Sequence, residues 1–173
     1  TRGWPRCPCL RLLLSSPPLA ANATLVGTGY MGLYVIENGQ IVQQFNKENC
    51  PFIKDNSIYC FAQDKHSNWL LGTYRGLSVR FSNGKGMHVE GKNLDLLANS
   101  DIRSIKCAAD GTIWLGTRND GLLRLRGDLR KPSSLVLRQY DRLANTELEL
   151  NYVFKLLVDR RGRVWACTKE AGL

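Results

Sequence analysis

The sequence contains no run of about 18 or more apolar residues, so no segment is long and apolar enough to cross a bilayer as a helix. It has only two histidines, His66 and His88, both in stretches that read as loops, and neither recurs with a partner. Its six cysteines (Cys7, Cys9, Cys50, Cys60, Cys107 and Cys167) are too few for a disulfide scaffold, and none of them forms the CxxC spacing of a zinc or dithiol site. A Gly-x-Ser-x-Gly elbow and a phosphate-binding glycine loop are absent as well. Catalysis therefore has no carrier in the sequence, and neither a metal nor a cofactor is expected. Cys60 and Cys107 fall in strand-like runs, IYCFA and IKCAA, and read as small buried hydrophobes, with a cross-strand disulfide as the alternative.

Charge is plentiful but uneven. The formal net charge is +9, and the excess sits at the ends: residues 1–21 carry three bases and no acid, 22–100 carry 7 bases against 6 acids, and 101–173 carry 14 against 9. Such a balance suits an acidic partner or a solvated surface. No recognition helix, zinc module or aromatic-and-basic strand platform appears, so no nucleic-acid partner is expected. At 43% hydrophobic and 23% charged, the chain has a globular composition, and its 173 residues suit one domain. Residues 1–21 match a secretory signal poorly and stay unassigned, as a targeting remnant, a linker or an artefact of where the chain is cut.

A repeat runs through the rest. LVGTGYMGLYVI (25–36), WLLGTYRGLSVRF (69–81), WLGTRNDGLLRL (114–125) and WACTKEAGL (165–173) share a large apolar residue, Gly-Thr (Cys-Thr in the last), a short turn and Gly-Leu. Their first positions, Leu25, Trp69, Trp114 and Trp165, are 44, 45 and 51 residues apart, and a glycine (Gly32, Gly76, Gly121, Gly172) follows each by seven. Upstream of each tryptophan lies an alternating run ending near an aspartate, Asp64, Asp110 or Asp159. Alternation marks a strand, and the Asp110-Gly111 dipeptide marks a hairpin turn with both central residues at positive φ. A weaker fourth strand follows in QIVQQF (40–45), MHV (87–89) and SLVLRQY (134–140).

Four short strands in about 45 residues is the arithmetic of a β-propeller blade. The expected fold is all-β, a propeller fragment of three to four blades over 22–173, truncated at the C-terminus. The tryptophans are expected as the anchors between blades, with Leu25 giving weaker packing in the first. Cys167 in place of the first glycine suggests that this position tolerates a small side chain. The aspartates read as turn residues.

The units NSIYCFAQDKHSNWLLGTYRGLSVRF and SDIRSIKCAADGTIWLGTRNDGLLRL resemble the two-component regulator propeller repeat. That resemblance implies a ligand sensor on the periplasmic or extracellular side of a bacterial inner-membrane protein, signalling to a histidine kinase outside this segment and reaching the membrane only through regions not contained here. The ligand it implies is a small molecule or oligosaccharide, notably a carbohydrate, and the other partners are further blades of a longer chain. Too few blades to close a ring predict exposed end faces and self-association, as a dimer or an aggregate. An enzyme propeller of lyase or quinoprotein type, and a protein-binding scaffold, stay open as alternatives with active residues elsewhere. The turns between Gly-Thr and Gly-Leu vary within a constant frame, which is where a rigid scaffold carries function. Tyr30, Tyr74, Arg75, Arg118, Asn119 and Asp120 are therefore the candidate ligand residues, and Lys169-Glu170-Ala171 forms the corresponding turn of the last unit.

Overall fold

The computed structural model describes residues 10–12, 23–141 and 151–169. Among them lie one five-residue helix, α1 (Asp95–Asn99), one 3-10 turn, and four antiparallel sheets. The first sheet orders β1 (Leu10–Leu12), β2 (Thr24–Gly27), β3 (Leu33–Glu37) and β4 (Gln40–Phe45). The second orders β5 (Ile58–Gln63), β6 (Trp69–Thr73), β7 (Gly76–Arg80) and β8 (Gly86–His88). The third orders β9 (Ile102–Cys107), β10 (Ile113–Thr117), β11 (Leu122–Arg126) and β12 (Val136–Tyr140), and the fourth pairs β13 (Val153–Val158) with β14 (Val164–Thr168). Each four-stranded sheet is a meander in sequence order, and first strands meet across blades, β5 against β9 and β9 against β13.

Three apolar clusters fill the gaps between sheets. Leu25, Leu33 and Val35 pack with Ile58, Phe61, Trp69 and Leu71 between blades 1 and 2. Leu70, Leu77 and Val79 pack with Ile105, Ile113, Leu115 and Leu123 between blades 2 and 3, and Leu122, Trp114, Val153 and Leu156 between blades 3 and 4. Leu25 is fully buried in the cluster between blades 1 and 2, so a leucine fills this position in the first blade.

The tryptophans do not play one role. Counted from the threonine of Gly-Thr, Trp114 and Trp165 stand three residues before Thr117 and Thr168, but Trp69 stands four before Thr73. The constant spacing of seven to the next glycine conceals this, because the extra leucine in WLLGT is offset by a turn one residue shorter. A one-residue shift flips a strand side chain to the opposite face. Trp69 accordingly points back into the blade 1–2 cluster, Leu70 takes the forward position, and Trp114 points forward to blade 4. Trp165 also points forward, no sheet covers it among the described residues, and it is 38% exposed. Trp69 and Trp114 therefore anchor blades from opposite faces of their sheets, together with aliphatic side chains, while Trp165 anchors none among the described residues.

The first glycine of each unit has no room for a side chain where another blade follows. A Cβ on Gly27 would meet the Ile58 carbonyl oxygen at 2.5 Å, on Gly72 the Ile102 side chain at 2.7 Å, and on Gly116 the Val153 carbonyl oxygen at 2.8 Å. These are the first residues of β5, β9 and β13, so the glycines set how closely blades approach. Cys167 fills this position only in β14, against which no further sheet is described, so it does not show that the position tolerates a side chain.

The aspartate turns differ in the same way. Asp64 and Asp159 open five-residue turns closed by Asp64 N–H to Asn68 O (3.0 Å) and Asp159 N–H to Arg163 O (2.9 Å), whereas in blade 3 Ala108 takes that place. Asp110 sits two residues later and accepts from the Thr112 amide and hydroxyl and from Arg126. Only Gly111 (φ 88°) of Asp110-Gly111 is left-handed; the turn with two positive φ values is Asn38-Gly39, at 50° and 78°, between β3 and β4. Desolvation works against ionising Asp159, but hydrogen bonds from Arg163, Trp165 and Arg161 hold its carboxyl down at about 2. All four described cysteines are free, Cys60 and Cys107 included. Gly172, Glu170 and Ala171 lie outside the described residues.

Candidate functional site: an axial cleft and its rim

Each complete first strand carries one extra residue at the same place. Ile58 and Cys60 pair with Thr73 and Gly72, Ile102 and Ser104 with Thr117 and Gly116, and Val153 and Lys155 with Thr168 and Cys167. The residues skipped are Tyr59, Arg103 and Phe154. Bulges re-aim a side chain out of the regular alternation, and here all three line one cleft of about 490 Å³. The cleft runs along β5, β9 and β13, also lined by Tyr152, Lys106 and Lys155, and reaches Thr28 and Gly29 at the turn between β2 and β3.

Its side chains are held firmly. The Arg103 guanidinium lies over the Tyr59 ring, with Cζ 3.7 Å from the centroid, and its Nη2 donates to Asp101 Oδ2 at 2.7 Å. Burial pulls the Arg103 pKa down, and the hydrogen bond and charge of Asp101 more than restore it, so the group stays charged. Asp101 is 5% exposed, and Arg118 Nη1 lies 4.0 Å from the same oxygen. Tyr152 and Phe154 meet edge to face at 6.3 Å between centroids.

The rim is built from the turns between second and third strands, and the Gly-Thr threonine organises each. Thr28, Thr73 and Thr117 donate their hydroxyls to Gly32, Gly76 and Gly121 carbonyls and accept from the amides of Met31, Arg75 and Asp120. The glycine amide then crosses to the next blade: Gly32 to Asn56 O, Gly76 to Ser100 O and Gly121 to Asn151 O, at 2.8–3.1 Å. Within a blade, Tyr74, Arg118 and Lys169 amides bond Ser57, Asp101 and Tyr152 carbonyls. The residues leading into each first strand are thus clamped between two turns.

The sequence-derived ligand residues stand on this rim, at one end of the cleft. Tyr30 is 75% exposed, Tyr74, Arg75, Arg118 and Asn119 are exposed, and Asp120 is half-buried. No side-chain hydrogen bond, ion pair or ring contact joins Tyr30, Tyr74, Arg75 and Asn119 among the described residues; Arg118 alone reaches the axis, through Asp101. Tyr59, Arg103, Phe154 and Tyr152 were not singled out from the sequence. The signal available was the second residue of each first-strand run, aromatic or basic in all three, but its direction depends on the bulge. Of the histidines, His66 lies exposed in a turn, and His88 is buried beside Ser78, Nδ1 to Oγ 3.4 Å. No group of three or more potential metal ligands occurs among the described residues.

Three four-stranded meanders and a fourth, two-stranded sheet, with first strands β5, β9 and β13 side by side along one cleft, make this chain part of a β-propeller. Solved structures share that architecture. The extracellular domain of a hybrid two component system from B. thetaiotaomicron superposes with a TM-score of 0.64 at 21% identity, covering 84% of this chain and 19% of its own. PorZ, a surface component of the type-IX secretion system of Porphyromonas gingivalis, gives 0.65 at 15% identity over 86% of this chain and 22% of its own. Virginiamycin B lyase from Staphylococcus aureus gives 0.58 at 14% identity over 97% and 58%. The chain thus spans about a fifth of the length of the first two and just over half of the lyase. None of the curated proteins compared matches the chain. Residues 96–119, from α1 through β9 and β10, match the family model described as two component regulator propeller. The likeness read from the sequence holds at that repeat.

Proposed function

We propose that this propeller segment is the ligand-sensing part of a transmembrane two-component signalling protein. In this reading it stands on the periplasmic or extracellular side of the membrane, binds a carbohydrate, does no chemistry itself, and informs a histidine kinase outside these 173 residues. The regulator-propeller match at 96–119 supports the class of protein. The observation that carries the binding role is the axial cleft, where three successive blades turn out Tyr59, Arg103 and Phe154 at one bulge position. Flat aromatic faces beside a fixed guanidinium suit sugar rings and their hydroxyls, and the volume suits two or three sugar units rather than a polymer.

A panel of oligosaccharides screened by thermal shift tests this. A ligand at a hundred times its Kd adds about 2.7 kcal/mol, which for a chain of this size raises Tm by roughly 5–10 °C. Arg75→Ala with Arg118→Ala at the rim, or Phe154→Ala on the axis, should remove the shift and leave the free melt nearly unchanged. A panel that shifts nothing would sink the carbohydrate reading.

A further inference from the structure

Among the described residues, the axial cleft is lined by three bases, Arg103, Lys106 and Lys155, and by no carboxylate. The nearest acid among the described residues, Asp101, lies behind Arg103, and its charge is already shared between Arg103 and Arg118. A cleft of equal volume between blades 2 and 3 makes the contrast: there Lys65, Arg126 and Arg130 alternate with Asp64, Asp110 and Asp128, and Asp110 is bonded to Arg126. Residues 22–100 are almost neutral in charge, so the axial bases come from β9 and β13, in the half that holds the excess. The stacking and the ion pair leave part of the group unused: Arg103 Nε and Asp101 Oδ1 are buried with no hydrogen-bond partner among the described residues, and unmatched buried polar atoms cost stability. A guanidinium fixed by ring stacking and by a buried carboxylate is pre-organised for an anion.

We propose, resting on the carbohydrate reading above, that the cleft takes an acidic oligosaccharide of two or three uronic-acid units. Its carboxylates meet Arg103, Lys106 and Lys155, and its rings face Tyr59 and Phe154. Bases beside aromatics also suit single-stranded nucleic acid, but a volume of about 490 Å³ is small for the four or more nucleotides such a site tracks.

The experiment is calorimetric titration of the full chain with trigalacturonate, its methyl ester, maltotriose and octathymidylate. Trigalacturonate should bind with an affinity that falls as salt is raised, and the methyl ester at least tenfold more weakly. Lys106→Gln with Lys155→Gln should weaken trigalacturonate at least tenfold at unchanged Tm; both side chains are partly or fully exposed, so the fold does not depend on them. Equal binding of acid and ester, or binding of maltotriose alone, overturns the acidic class and leaves the carbohydrate reading standing. Affinity unchanged in the double variant overturns the placement on the axis. A preference for octathymidylate overturns the proposal and the carbohydrate reading together, and silence of all four overturns the acidic class while the wider oligosaccharide panel decides the other.

Discussion

Trp69 and Trp165 occupy the same place in the sequence repeat and opposite faces of their sheets, so truncating each to alanine separates the two descriptions. Trp69 is 8% exposed among Leu25, Leu33, Val35 and Leu71. Burying most of a tryptophan removes about 200 Å² from water, or roughly 5 kcal/mol at 25 cal/mol per Å², and core truncations of this size cost about 3–5 kcal/mol. Its Nε1 donor is buried without a hydrogen-bond partner among the described residues, so truncation also relieves a penalty of about 1 kcal/mol or more. The expected net loss is about 3 kcal/mol, a fall in Tm of roughly 6–12 °C. Trp165 is 38% exposed, held by a 3.2 Å bond to Asp159 Oδ2 and by Arg163 over its ring. Its alanine variant should lose about 1 kcal/mol. Trp69→Phe, which keeps an aromatic ring and deletes the orphan donor, should stay within about 1 kcal/mol of the parent. Urea unfolding followed by far-UV circular dichroism reads all three. Equal losses at the two positions, or a phenylalanine variant as damaged as the alanine one, would refute the assignment of opposite faces.

Gly116→Ala should destabilise by about 1–3 kcal/mol, because the new methyl meets the Val153 carbonyl oxygen at 2.8 Å, whereas Cys167→Ala should be near neutral; the same melts decide it. Burial pushes the Cys60 thiol up to about 12 and Cys107 to about 11, so iodoacetamide at pH 8 should leave both unmodified in the native chain and label them in urea, as peptide mass spectrometry would show; rapid native labelling of Cys60 contradicts its place between blades 2 and 3. Burial also lowers the pKa of His88 below its ordinary 6.5. Below that value the unfolded chain binds the extra proton more readily, so stability present above pH 6.5 should be lost as pH falls through the folded value. His88→Gln should flatten that part of the Tm-against-pH curve, and an unchanged slope would assign it to other groups.

Much of the architecture was legible because strand periodicity, turn residues and a fixed repeat are local properties. IWLGT and LLRLR read as paired strands from their apolar content and the glycine between them, and they pair from Ile113–Leu125 to Gly116–Leu122. The turn residues from Tyr30 to Asp120 were legible as a group for the same reason. Less could be read wherever an insertion in one place was offset in another. The added Leu in WLLGT and the shortened Tyr74-Arg75 turn cancel in any spacing count, yet between them they reverse the face of Trp69. The aspartates behave alike: nine residues separate Asp64 from Thr73 and seven separate Asp110 from Thr117, a difference of two that moves the side chain from the first turn position to the third and that the count to the shifted tryptophan hides.

By itself the sequence determined four units, the strands within 22–173, and the propeller that such units build, since each follows from backbone preferences and alternation over a few residues; β1, in the segment left unassigned, is placed only by its pairing with β2. Only the tertiary structure decided which side chains meet. The first-strand bulges place Tyr59, Arg103 and Phe154 on one axial surface, although 44 and 51 residues separate them in sequence. The approach of Gly116 to Val153 and the double use of Asp101 are likewise contacts between blades. The physical reason is that a bulge and a blade interface are set by pairing partners remote in the chain, and no local pattern records which partner a strand will find.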